Sequence, residues 1–113
     1  TLALATEEMA RMNDRASELH RIIGYGMSAH VVCCKTMEDA QARAEALEDH
    51  GRKARYNRSS VSGLAAGLVG TAEVIAERIA RYEERGLGLM LFQFSPMEEG
   101  LDRFVSEVLP LLR

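Results

Sequence analysis

The stretch Gly86-Leu87-Gly88-Leu89-Met90-Leu91-Phe92-Gln93-Phe94-Ser95-Pro96-Met97-Glu98 decides the fold class. Residues 87–94 carry no charge and are apolar almost throughout, the composition of a parallel strand covered by helices. The residues after this run predict a helix, with Ser95 at the N-cap, Pro96 at the first helical position and Glu98 at N3. Met97, Leu101, Phe104, Val108 and Leu111 form its apolar stripe. Upstream, Gly86 ends a helix that Gly70 and Thr71 open, with Ile75, Ile79 and Tyr82 on the buried face and Glu77 and Arg81 four apart on the exposed one.

Farther from this stretch the same alternation recurs. Residues 64–69 are a short apolar run that reads as a brief strand. Residues 52–63 are polar and irregular, with Arg52, Lys53, Arg55, Asn57 and Arg58, and read as a mobile loop. Thr36-Met37-Glu38-Asp39 has the capping-box shape, Met37, Ala40, Ala44 and Leu47 form a buried stripe, and Gly51 supplies the stop. Residues 25–34, rich in valine and polarizable side chains and bounded by Gly24 and Gly26, read as a strand. Met9, Met12, Ala16, Leu19 and Ile23 predict a first amphipathic helix over 6–23, with Thr6 placed to cap it and Glu7 and Glu8 in its first turn.

The order is helix, strand, helix, short strand, helix, strand, helix. Alternation of this kind feeds a parallel sheet through right-handed crossovers, so the fold class is α/β. A closed barrel of parallel strands needs eight of them and roughly 250 residues. Residues 1–113 therefore predict a single domain that is incomplete by itself, with the missing strands on other sequence or on a partner.

Composition excludes several classes of function. With 14 Lys and Arg against 17 Asp and Glu, a net charge of -3 offers no basic stripe for nucleic acid. At 47% hydrophobic and 27% charged residues the chain is neither disordered nor membrane-spanning in composition. Residues 1–5 are followed at once by Glu7 and Glu8, unlike a signal peptide, so a cytoplasmic location is expected. Cys33 and Cys34 are adjacent and match neither a zinc spacing nor a redox pair; no metal is expected, and both read as reduced packing residues.

The strand faces carry the chemistry. With side chains alternating, Tyr25, Met27, Ala29 and Val31 point one way and Gly24, Gly26, Ser28 and His30 the other. The first set can pack on helices, whereas the second leaves room and hydrogen-bonding groups for a ligand. A core histidine bonded to a neighbouring carbonyl is the plain alternative for His30. Gln93 and Ser95 share a face at the C-terminal end of the last strand, where folds of this class place their sites. Gly70 and Thr71 open a helix whose N–H groups could hold a phosphate, although a tight turn plus a cap explains them equally well.

Gly67-Leu68-Val69-Gly70-Thr71-Ala72-Glu73-Val74-Ile75-Ala76-Glu77-Arg78-Ile79, then Gly86, residues 89–94, Ser95-Pro96 and residues 104–110, resemble the C-terminal end of the luciferase-like flavin-dependent monooxygenases. Tyr25-Gly26-Met27-Ser28-Ala29-His30-Val31-Val32 is similar to the sixth strand of that family's barrel. Within the family the likeness is to the branch acting on small organosulfur compounds, the alkanesulfonate and dimethyl sulfone monooxygenases.

The resemblance implies that this chain is the last three βα units of a TIM (β/α)8 barrel. The implied activity uses reduced FMN and O2 to oxygenate a sulfone or alkanesulfonate with C–S cleavage, the flavin being reduced by a separate NAD(P)H-dependent reductase. A catalytic role falls on His30, which matches the family's histidine. Ser28 stands where the alkanesulfonate enzymes carry arginine, a departure that favours a neutral substrate. Ser95 and Met97 stand where those relatives have a tyrosine and a histidine. Ser28, Gln93, Ser95 and Arg58 are the implied substrate or flavin contacts. The implied assembly is a homo-oligomer or a barrel completed by another segment. The competing class is a non-catalytic relic or interaction module that pairs its open sheet edge with a second copy.

Overall fold

The computed structural model describes residues 1–53 and 64–112. In chain order these form α1 (Leu2–Glu18), β1 (Gly26–His30), β2 (Val32–Cys33), α2 (Met37–Lys53), a 3-10 turn (Leu64–Ala66), β3 (Val69–Gly70), α3 (Ala72–Glu84), β4 (Leu89–Gln93) and α4 (Met97–Arg103). The last helix widens over Phe104–Val108 and tightens over Leu109–Leu111. The chain is mixed α/β with parallel strand pairing, as its alternation predicts.

Two ladders share one run of backbone. β1 pairs with β4 from Gly26↔Leu89 to His30↔Gln93, and β2 pairs with β3 at Val32↔Val69 and Cys33↔Gly70. The Val31 N–H donates to the Gln93 carbonyl (2.9 Å), whereas the next N–H, of Val32, donates to the Leu68 carbonyl (2.9 Å). Successive N–H groups of an extended strand leave from opposite edges. Residues 26–33 therefore lie between β3 on one edge and β4 on the other, and the spatial order is β3, β1/β2, β4.

The core lies on the odd-residue face of β1. Ala29 and Val31 meet Met9 of α1, Ile75, Ile79 and Tyr82 of α3, and Phe94, Phe104 and Val108 beyond β4. Phe104 stacks at tilted angles on Phe92 and Phe94, with ring centroids 4.8 and 5.5 Å away. Such aromatic contacts add to the area they bury. Gly100 permits this approach, because a Cβ there would lie 2.6 Å from the Phe94 Cβ.

The predicted buried face of α3, Ile75, Ile79 and Tyr82, is buried as expected. The Glu77–Arg81 pair forms at 2.7 Å, and Thr71 caps the helix by accepting from the Val74 N–H. Gly86 follows α3 at φ +108, the left-handed conformation that ends helices. Thr36 caps α2 through the Asp39 N–H (3.1 Å).

Other expectations require correction. The first helix spans Leu2–Glu18 instead of 6–23: Thr1 caps it, and the Thr6 hydroxyl bonds inward to the Leu2 carbonyl (2.7 Å). It stops where His20 takes φ 54, and only Met9 and Ala16 of its expected stripe are buried. Gly51 lies inside α2, which runs to Lys53, so the loop expected over 52–63 does not begin at Arg52, and positions 54–63 lie outside the described residues. The strand expected over 64–69 is a 3-10 turn closed by the Gly67 N–H on the Leu64 carbonyl, with β3 only at Val69–Gly70. Ser95 does not cap the last helix: Pro96, joined to Ser95 by a cis peptide, has extended backbone (ψ 147) and is itself the cap residue, with no side-chain bond. Of that helix's stripe, Phe104 and Val108 are buried while Met97, Leu101 and Leu111 are exposed.

Candidate functional site

β1 and β4 bring two polar side chains to the C-terminal end of their ladder. His30 and Gln93 are register partners on the face opposite the core, where Gly26 faces Leu89 and Ser28 faces Leu91. In an open α/β sheet, ligands bind outside the carboxyl ends of the strands at the point where strand order reverses. Here the chain steps from β1/β2 to β3 on one side and returns to β4 on the other, so the reversal falls between β1 and β4.

His30 is buried, with 1% of its surface exposed. Neither Nδ1 nor Nε2 has a hydrogen-bond partner among the described residues, and neither does the buried Oε1 of Gln93. Burial lowers the pKa of His30 below the ordinary 6.5, so the ring is neutral at pH 7. A neutral imidazole offers one N–H donor and one acceptor nitrogen, and Gln93 adds an amide oxygen that can accept. Three unmet polar atoms in one place are unusual, because leaving each unpaired costs about 1–3 kcal/mol. Together the three atoms offer one donor and two acceptors to a partner. The plain alternative of a core histidine bonded to a neighbouring carbonyl is not what the described residues form.

The remaining expected site residues are distributed around this pair. Ser28 lies two residues earlier on the same face and is exposed. Ser95 lies two residues past Gln93, beyond the strand end, and is half-buried. Gly70 is buried at φ +156 against α2, where a Cβ would meet the Met37 sulfur at 2.7 Å. With the Thr71 hydroxyl bonded to the Val74 N–H, a close approach and a cap account for both residues. Arg58 lies outside the described residues.

Leu89 and Leu91 were not singled out as site residues by the sequence, yet they stand beside Gly26 and Ser28 with 60% and 61% of their surfaces exposed. This corrects the expectation of a last strand covered on both faces. The signal that could have found them is period-two alternation: counting back from Gln93 places Leu91 and Leu89 on its face.

Both cysteines are free and half-buried. The Cys33 thiol is pushed up to about 11, first by burial and then by the Glu107 carboxylate. Among the described residues no group of three or more His, Cys, Asp or Glu could hold a metal ion, and no helix is long and apolar enough to cross a membrane. No protein-family model matches the chain.

Proposed function

We propose that this chain is the C-terminal part of a reduced-FMN-dependent monooxygenase of the luciferase-like kind, acting with O2 on a small organosulfur compound, a sulfone or an alkanesulfonate. The observation that carries the reading is the buried, neutral His30 beside the Gln93 oxygen, both without hydrogen-bond partners among the described residues. Those atoms suit reduced flavin, whose carbonyl oxygens accept and whose ring N–H groups donate, whereas a sulfone or sulfonate offers acceptor oxygens alone and can meet only the His30 N–H. Reduced flavin, when bound, supplies the electrons that activate O2. His30 donates its ring N–H to an oxygen of the ligand, and Gln93 Oε1 accepts from a ligand N–H. Leu89 and Leu91 offer the ligand apolar surface at its flank. A separate flavin reductase and a cytoplasmic setting belong to the same proposal.

Entry into a (β/α)8 barrel in sequence order requires β3 between β1 and β4, whereas in this chain β1 lies between the other two. A structure of this segment joined to its upstream strands tests the barrel directly. If β4 still pairs with β1 there, the barrel reading is overturned.

The functional test is an anaerobic titration of the purified chain with reduced FMN, followed by absorbance. Saturable micromolar binding that His30→Ala weakens is the expected result. A folded chain that binds no flavin, alone or joined to the upstream segment, would overturn the enzyme reading.

A second reading rests on a different observation. Among the described residues β4 pairs on one side only, and it carries the exposed Leu89 and Leu91. Unpaired parallel edges recruit partners, so a non-catalytic module that pairs this edge with a second copy is the alternative. Light scattering separates the two: an oligomer that Leu91→Lys dissociates, in a chain without flavin affinity, supports the module.

A further inference from the structure

Beyond the C-terminal end of β2, a recess of about 330 Å³ is lined by Cys34, Lys35, Asp39, Arg43 and Arg103. It lies between the first turns of α2 and the end of α4. Three cations face one carboxylate there, in a chain whose net charge is -3. The cations are lightly engaged. Arg43 approaches Glu99 at 3.7 Å and Arg103 approaches Glu107 at 4.0 Å, both beyond hydrogen-bond length, and Lys35 has no ion pair among the described residues. Exposed pairs of this kind are worth about 0–1 kcal/mol, so an anion displaces them at little cost.

We propose that this recess binds a phosphate group. Two arginines and a lysine lining one recess suit a compact tetrahedral dianion, which can accept several charge-assisted hydrogen bonds at once. A monocarboxylate has fewer oxygens and one charge, and it leaves at least one of the three cations unused. Asp39 is the one carboxylate in the lining, so the lining residues carry three positive charges against one negative. The phosphate is either free or the end of a phosphate monoester, and the site is separate from the His30–Gln93 pair.

The experiment is a calorimetric titration of the full chain at constant low ionic strength with inorganic phosphate, glycerol 3-phosphate and glycerol. Saturable binding of either phosphate, with none of glycerol, is expected, and the tighter of the two identifies the source. Arg103→Gln weakens it about tenfold, the loss of one charge-assisted hydrogen bond. Lys35→Gln, an exposed change that leaves packing intact, also weakens it severalfold, while Arg85→Gln, far from the recess, leaves it unchanged. No saturable binding by the folded chain overturns the site. An equal loss in Arg85→Gln overturns it too, since net charge alone would then explain the affinity.

Discussion

His30 and Gln93 stand side by side across the β1–β4 ladder, and the Val31 N–H reaches the Gln93 carbonyl at 2.9 Å, yet their side chains share no hydrogen bond. The backbone holds the two side chains adjacent and leaves three buried polar atoms unmet among the described residues.

A site that keeps polar atoms unmet trades stability for binding. His30→Leu should therefore raise the stability of the chain by about 1 kcal/mol or more, because an apolar group replaces two buried nitrogens without partners. Urea unfolding midpoints check this. On the monooxygenase reading proposed above, His30→Ala should lower kcat/KM about tenfold or more, the effect of removing one hydrogen bond to a reacting ligand.

The same burial sets a pH dependence. The pKa of His30 is lowered in the folded chain, so between that value and the ordinary 6.5 the unfolded chain binds the extra proton. Stability from this group is fully present above pH 6.5 and is lost as pH falls through the folded value. Urea midpoints at pH 7.5 and 5.0 should diverge more for the native sequence than for His30→Leu, carboxylate effects being common to both.

Gly100→Ala should destabilise the chain by about 1–3 kcal/mol, although alanine is the better helix former. The added carbon would sit 2.6 Å from the Phe94 Cβ, a backbone-proximal atom that cannot swing aside, so α4 must move off the aromatic cluster. Thermal unfolding of the variant measures this.

Cys33 should resist alkylation. With its thiol pushed up to about 11, roughly a thousandth is thiolate at pH 8, and full reactivity should appear only in denaturant. Because burial outranks the Glu107 carboxylate as the cause, Glu107→Gln should speed the reaction only modestly. Reaction with a chromogenic disulfide, followed per cysteine by mass spectrometry, tells the two apart.

Much of this was legible in the sequence where a local rule decides. The face of α3 follows from the spacing of Ile75, Ile79 and Tyr82, and the two faces of β1 follow from alternation. Boundaries failed where one backbone angle overrode the pattern: His20 ends α1 in a left-handed conformation that no glycine announces, and extended Pro96 displaces Ser95 from the cap. The exposure of Leu89 and Leu91 was not legible because an apolar run looks the same whether one face is covered or two. Strand order was hidden for the same reason, since no local pattern says that residues 26–33 lie between β3 and β4. Within the site, the positions of His30 and Gln93 were readable, whereas their adjacency depends on the long-range register.

The shared central run has a kinetic consequence. Gly26 waits for Leu89 and Val32 waits for Val69, so the strand synthesised first acquires both neighbours last. Each pairing closes a long loop, and its entropic cost falls before any hydrogen bond repays it. A growing chain therefore carries this segment with one edge open until residues 69–70 have been made and the other open until residues 89–93 have followed.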